Sequence, residues 1–360
     1  MSALLKLEVN QFRNIESAEL ALSPTINLIH GNNGSGKTSL LEAIYVLGSG
    51  KSFRTTLVEP LIRASASAAI LHAENTEGMR IGLLKHRNQK NTLKLNGAVQ
   101  PNWDEVAHTL PTRILDSGSF KLLESGPKAR RRFLDWGVFH VEHRFVDCWR
   151  RSRKALVNRN RLLKAEPVSE SQLKPWDLEL AAAGEEMDNS RKRYMNRLIP
   201  VFQSFLKDMI EGLPGELMIR YNRGWEDGLP LQQALQQSRV MDSRYGVSQV
   251  GPQRADIEIR LGKRKALELL SRGQQKLLVC ALQLAQGRLL AETINRQCLF
   301  LIDDLSAELD RNNRTKVLDQ LINLNSQLFI TSVDPNALSF VAPQRAETAM
   351  FHMEHGIITN

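Results

Sequence analysis

A chain of 360 residues with 42% hydrophobic and 24% charged side chains is globular in composition and long enough for two domains, or for one domain carrying a large insertion. Cys148, Cys280 and Cys298 stand alone, which argues against disulfides and a zinc site, and neither an apolar run of bilayer length nor a signal-peptide core in Met1–Glu8 is read; a cytoplasmic protein with no membrane partner is expected. The net charge of +9 is concentrated, because residues 128–164 hold twelve Lys/Arg against three acids and the remainder balances.

The first 125 residues read as β-rich. Leu5, Leu7 and Val9 alternate, Ile26–Ile29 is a buried strand, and Ala69–Glu74, Met79–Arg87 and Asn91–Leu95 follow, with Asn96-Gly97 as a turn. Directly after Ile26–Ile29 comes Gly31-Asn32-Asn33-Gly34-Ser35-Gly36-Lys37-Thr38, and then Leu40, Leu41, Ala43, Ile44 and Leu47 at helical spacing. Strand, glycine loop and helix in that order make a Walker A site rather than a chance Gly-rich turn. The glycines let backbone amides wrap phosphates, Lys37 is expected on the β- and γ-phosphates, and Thr38 on Mg²⁺. ATP and Mg²⁺ are therefore the expected cofactors.

From Lys128 the character becomes helical. One helix is expected to run from Phe133 to Lys164, about 50 Å if unbroken. Glu166–Ser169 breaks it, and Pro175-Trp176 opens a second helix reaching about Leu213 with a kink near Pro200. Two such helices make an arm. The basic excess sits on it with His140, His143 and Trp149 interleaved; Arg144, Arg150, Arg151, Arg153 and Lys154 are the expected DNA-binding residues, against the plainer alternative of a solvated helix face. Strands return from Leu217, with Ile257–Leu261 ahead of a Gly262-Lys263 turn.

The C-terminal third decides the class. Cys298–Ile302 is a continuous apolar run that delivers Asp303-Asp304 at its end, as a buried parallel strand does. Asp303 is the expected Mg²⁺-side carboxylate, and Asp304, with Lys37, the expected catalytic pair, Asp304 orienting or deprotonating water. Leu270-Ser271-Arg272-Gly273-Gln274 resembles the ABC signature with Arg272 in place of its first glycine, which brings Ser271, Gly273 and Gln274 into the nucleotide site; Ser306–Asp310 resembles the D-loop. Strand Gln327–Thr331 ends in Ser332-Val333-Asp334, without the switch histidine that transporter ATPases carry there, so that class is disfavoured. The long interval from Lys37 to Ser271 also exceeds a compact transporter subunit and falls far short of an SMC coiled coil.

Asn10–Asn14, Gly31–Thr38, Ser52–Thr55, Arg131–Trp136, Arg159-Asn160, the signature and Asp303-Asp304 together resemble the RecF family of SMC-like ABC ATPases over nearly the whole chain. The resemblance implies an α/β fold: an ABC-type P-loop ATPase head built from residues 1–125 and 216–360, with a helical arm inserted at 126–215. It also implies action at DNA gaps and ssDNA/dsDNA junctions in replication, recombination and repair, with RecO and RecR as partners, SOS induction, and an ATP-dependent homodimer with slow hydrolysis. A DNA-binding scaffold that holds ATP without turnover is the alternative. Arg13 resembles the arginine that this class places near the nucleotide. Gly251–Asp256 resembles a family motif, with Gln253 and Ala255 standing where the motif has His and Asp. Residues 115–120 occupy the Q-loop region without a glutamine.

Overall fold

The computed structural model describes residues 3–165, 169–213, 215–336 and 347–359. In chain order the elements are β1 (Leu4–Phe12), β2 (Ile15–Ala21), β3 (Ile26–His30), α1 (Lys37–Ser49), β4 (Ala68–Asn75), β5 (Arg80–His86), β6 (Thr92–Leu95), β7 (Ala98–Val99), α2 (Asp104–Thr109) and β8 (Thr112–Leu115). There follow α3 (Pro127–Val141), α4 (Phe145–Leu162), α5 (Glu170–Met209), β9 (Leu217–Asn222), α6 (Leu231–Gln237), α7 (Arg239–Tyr245), β10 (Asp256–Leu261), β11 (Arg264–Lys265) and α8 (Ala266–Leu269). The chain then runs through α9 (Arg272–Ile294), β12 (Leu299–Ile302), α10 (Leu305–Glu308), α11 (Arg311–Asn323), β13 (Leu328–Ser332), β14 (Thr348–Glu354) and β15 (Ile357–Thr359).

Two compact units result, Met1–Phe120 with Lys276–Asn360, and Lys121–Gln275. In the first, an antiparallel sheet has the order β2-β1-β4-β5-β6-β7 and a largely parallel sheet the order β15-β14-β3-β13-β12-β8. Helix α1 lies in the core between them, with Leu40, Leu41, Ile44 and Leu47 buried against Leu7, Val9, Leu71 and Leu301. Buried Gln327 ties the two sheets: its amide accepts from Leu4 N–H and donates to the carbonyls of Leu4 and Ser23, at 2.7–2.8 Å. The expected alternation of Leu5, Leu7 and Val9 holds only in part. A register shift between Leu4 and Lys6 buries Leu4 and leaves Leu5 38% exposed, as one extra residue in a ladder flips the face beyond it.

The second unit contains the long helices, and it also contains β9–β11, α6 and α7. The span 126–215 expected for the arm lies inside it. The unit continues to Gln275 because β10 pairs with β9 and β11, and because α5 Gly184 packs against Leu231 and Pro252. The single helix expected over Phe133–Lys164 is instead two. Glu142 turns extended at the end of α3, and its carboxylate accepts from Arg193 of α5 at 3.2 Å, which fixes the break. The second helix starts at Glu170, earlier than Pro175, and runs unbroken through Pro175 and Pro200 to Met209. Of the expected break at Glu166–Ser169, residues 166–168 lie outside the described residues. Helices α3–α5, α7 and the 248–256 segment are knitted by two buried arginines: Arg191 pairs with Asp135 (2.8 and 3.0 Å) and donates to Pro252 O (2.9 Å), and Arg159 pairs with Asp177 (2.6 Å) and with Asp242 of α7 (2.8 Å).

One helix departs from the expectation that no segment reaches bilayer length. By length and composition α9 is apolar enough to cross a membrane, but 72% of its most apolar stretch is buried. Val279, Cys280, Ala281, Leu284 and Ala285 are wholly covered, as in a core helix.

Lys85 on β5 is buried, with the Gly50 carbonyl, at the C-terminus of α1, 3.5 Å from its ammonium. Burial holds its pKa below the ordinary 10.5. Lys85→Met is therefore expected to stabilise the first unit at neutral pH. An ammonium whose folded pKa is depressed costs least once it is neutral, so the variant's advantage should narrow as pH rises through the folded pKa toward 10.5. Urea melts at pH 7 and pH 10 check both the sign and the trend.

Candidate nucleotide-binding site

His30 ends β3, and the next residues turn over the end of the parallel sheet into α1. Gly31, Gly34 and Gly36 have φ of 152°, 79° and 117°, the region in which a side chain is strained, so the loop curls as a phosphate cradle requires. Lys37 folds back across it, donating to Gly31 O (2.7 Å) and Asn32 O (2.8 Å). Burial lowers its pKa, with Asp304 and Asp303 opposing the shift. Asn33, Gly34, Gly36, Lys37 and Thr38 line a cavity of about 850 Å³, together with Arg13, Asp303 and Asp304.

At the floor, Thr38 Oγ1 donates to Asp303 (2.9 and 3.1 Å) and Thr331 Oγ1 donates to the same carboxylate (2.8 Å). Burial raises the Asp303 pKa, while these two hydroxyls pull it down and the Asp116 and Asp304 charges add to the rise. Asp304 sits one residue on, in the left-handed region (φ 46°); its N–H donates to Thr331 Oγ1 (3.0 Å) and its carboxylate accepts from Ser306 (2.7 Å). A non-glycine residue held there is strained, and two bonds hold it. The all-oxygen donor set of Thr38 and Asp303, in a half-buried position, fits a hard cation such as Mg²⁺.

Three contributors carry little signal in the sequence. Thr331, at the end of β13, bonds both acids; its only mark is its place just before the position at which transporter ATPases carry a switch residue. Asp116 follows β8, whose Leu115 is in register with Ile302, and so the fold sets it beside Asp303. The third is the hairpin β14–β15. Met353 O lies 2.1 Å from where a Cβ on Gly31 would stand, Met353 Cε lies 2.6 Å from that of Gly36, and Gly356 N–H donates to Ser35 O (2.8 Å). Asn14 Nδ2 donates to the same carbonyl (3.1 Å), so the back of the loop is packed.

Ser271, Gly273 and Gln274 belong to the second unit, at the start of α9. Ser271 N–H donates to Gln274 Oε1 (3.0 Å) and Gln274 N–H to Ser271 Oγ (3.3 Å), a capping box. The Ser271 hydroxyl thus accepts in the cap and keeps its own proton to donate. Arg272, in place of the signature's first glycine, is exposed and pairs with Glu124.

On α4, Arg150, Arg153 and Lys154 stand on the outer face behind Arg144 at its start, and Arg153 lies over the Trp149 ring (5.3 Å). Arg151 differs: it bridges to α5 through Glu179 (2.7 Å) and Glu186 (3.4 Å). Gln253 Nε2 donates to Val250 O (2.7 Å), and Ala255 O accepts from Arg131 (2.7 Å).

A P-loop helix buried between an antiparallel and a parallel sheet, with paired acids after β12, one strand removed from β3, and a helical insertion, defines an ATPase head of the ABC type in its SMC-like form. The family model for the RecF/RecN/SMC N terminal domain matches residues 3–359. The DNA replication and repair protein RecF of Pseudomonas paraeruginosa is 41% identical over 99% of this chain and 97% of its own, and that of Stutzerimonas stutzeri 42% over the same shares. A solved structure of the recombination mediator protein RecF with ATP, in the RecFOR pathway, aligns with TM-score 0.88 at 26% identity, covering 99% of this chain and 97% of that one. An Smc head domain from Pyrococcus furiosus, bound to the C-terminal domain of ScpA, shares the fold at TM-score 0.59 and 18% identity, over 100% and 96% of the two chains. The chain belongs to the RecF family.

Proposed function

We propose that this chain is an ATP-dependent DNA-binding protein of recombinational repair, acting at gaps and stalled forks in the cytoplasm. The observation that carries the nucleotide half is the convergence of Lys37, Thr38, Asp303, Asp304 and Thr331 on one cavity behind a curled glycine loop. Bound phosphates take the Lys37 ammonium from the carbonyls of Gly31 and Asn32. Thr38 and Asp303 would hold Mg²⁺, which would supply neutralising charge to the bound phosphates. Asp304, held by Ser306 and by its own N–H, orients the attacking water and accepts its proton. Hydrolysis is slow and serves as a switch. The bond network around Asp304 favours turnover over a purely structural role for ATP.

One signature and one P-loop per chain support a two-fold dimer with both nucleotides at the interface. Ser271, Gly273 and Gln274 of one copy would face the loop of the other. RecO and RecR are the proposed partners in recombinase loading, with SOS induction downstream, on the strength of the family. Light scattering without nucleotide, with ADP and with ATP tests the assembly: dimers with ATP alone are expected, and a monomer under all three conditions removes the dimer.

The DNA half rests on the basic outer face of α4. Arg150 to Lys154 is one helical turn, so both reach the same stretch of phosphate backbone. Converting Arg150 and Lys154 to glutamine should weaken binding alike for unrelated sequences and flatten the dependence of log K on log salt by about 0.7–0.9 for each phosphate no longer neutralised. Arg151 is the less suitable target, since its loss also unpairs Glu179 and Glu186 of α5. A salt series with ATP present that leaves the slope unchanged would take this face out of the DNA site.

A further inference from the structure

Glu42 lies on α1, one turn beyond Thr38, and its side chain is wholly buried. A carboxylate so placed requires partners, and the two cations among them line the nucleotide cavity. Arg13 meets it with two parallel bonds, Nε to Oε2 at 2.8 Å and Nη2 to Oε1 at 2.7 Å. Arg54 Nη1 lies 3.5 Å from Oε2, and Ser52 Oγ donates to Oε1. Arg13 and Arg54 both line the cavity. Ser52 Oγ in turn accepts from the N–H groups of Arg54 (2.9 Å) and Thr55 (3.0 Å), shaping the turn that carries Arg54.

The backbone at Arg13 is itself in the left-handed region, φ 54°, and is tied there: Arg13 N–H donates to Leu61 O (3.0 Å) and Asn14 O accepts from Arg63 (2.9 Å). A strained residue anchored through both main chain and side chain is held for a purpose. Two guanidinium groups on one wall repel each other unless an anion stands between them, and Glu42 is that anion.

We infer that Glu42 is a positioning residue of the nucleotide site, fixing the orientation of Arg13 and, through Ser52, of Arg54 toward bound nucleotide. The inference rests on the ATP reading above. A fork-to-fork pair sets direction as well as charge, and the role is therefore one of geometry. Shortening the side chain by one methylene in Glu42→Asp keeps the charge and withdraws both oxygens. In Glu42→Gln the size is kept, but an NH₂ is turned toward guanidinium donors, so one of the two bonds is lost.

The test measures affinity of the full chain for a fluorescent N-methylanthraniloyl ATP, with melting of the nucleotide-free protein alongside. Both Glu42→Asp and Glu42→Gln are expected to weaken binding about tenfold, while in an Arg13→Ala background either change should cost clearly less, the part that remains acting through Arg54. In that background Glu42→Gln should also raise the melting temperature, because the buried carboxylate has lost its main partner. Affinity equal to wild type in Glu42→Asp overturns a positioning role in favour of bulk charge. An equal loss in both backgrounds overturns it in favour of packing alone. Should the Glu42 variants fail to fold, Ser52→Ala serves: a loss of affinity with unchanged melting supports the inference, and wild-type affinity overturns it. Failure of the wild-type protein to bind the probe is a different result, striking the ATP reading itself.

Discussion

Lys37→Met is expected to lose ATP binding while the nucleotide-free protein melts close to wild type. The ammonium sits half-sequestered over two carbonyls, and burial already disfavours its charge, so the apo fold gains little from it. Bound phosphates gain much more. A hydrogen bond to a charged group contributes about 1.5–3 kcal/mol, which corresponds to a loss of about ten- to a hundred-and-fifty-fold in affinity. Titration of both proteins with Mg-ATP, beside thermal melts, separates binding from folding. Tight Mg-ATP binding by the variant would remove the cradle role from residues 31–38.

Arg159→Met should be the most destabilising single change in the second unit. Arg159 is entirely buried between Asp177 and Asp242, with Ser248 Oγ accepting at 2.7 Å. Its removal strands two acids of which one is fully covered and the other 5% exposed. Breaking a buried pair from one side costs about 3–5 kcal/mol. Asp177 keeps Arg239 (2.7 Å) and Asp242 keeps Ser238 (3.0 Å), so the lower end of that range is the better expectation. Urea unfolding at pH 7 reads the loss. A loss below about 1 kcal/mol at pH 7 would show that Arg159 balances no buried charge.

The parts of the site that sequence exposes are those whose chemistry dictates spacing. Gly31–Thr38 needs glycines where φ is positive and Lys-Thr at a helix start, and Asp303-Asp304 needs an apolar strand to deliver it. Each constraint is local, and each is legible. Glu42 carries no such mark, since a glutamate on an amphipathic helix reads as solvent-facing until the fold covers it. Thr331 and Asp116 are ordinary residues in sequence, brought to Asp303 by strand register alone. The same holds for β8, four residues long, and for β14, where only Phe351 and Met353 are buried. Short strands carry too few alternations to declare a period. The basic segment is visible as composition, but the pairing of Arg151 with α5 is not, because it depends on which face of α4 meets its neighbour.

The brace behind the glycine loop has a consequence for how the protein is made. His30 and His352 meet across 322 positions of chain, and Ser35 waits for Gly356 in the same way. A ribosome adding about 5–20 residues per second needs on the order of tens of seconds to span that interval. Until it does, residues 31–38 have no Met353 or Gly356 to press against, and β3 lacks β14, one of its two neighbours. Nascent chains should therefore be blind to nucleotide, and only a polypeptide that has delivered residues 348–359 from the exit tunnel can hold ATP.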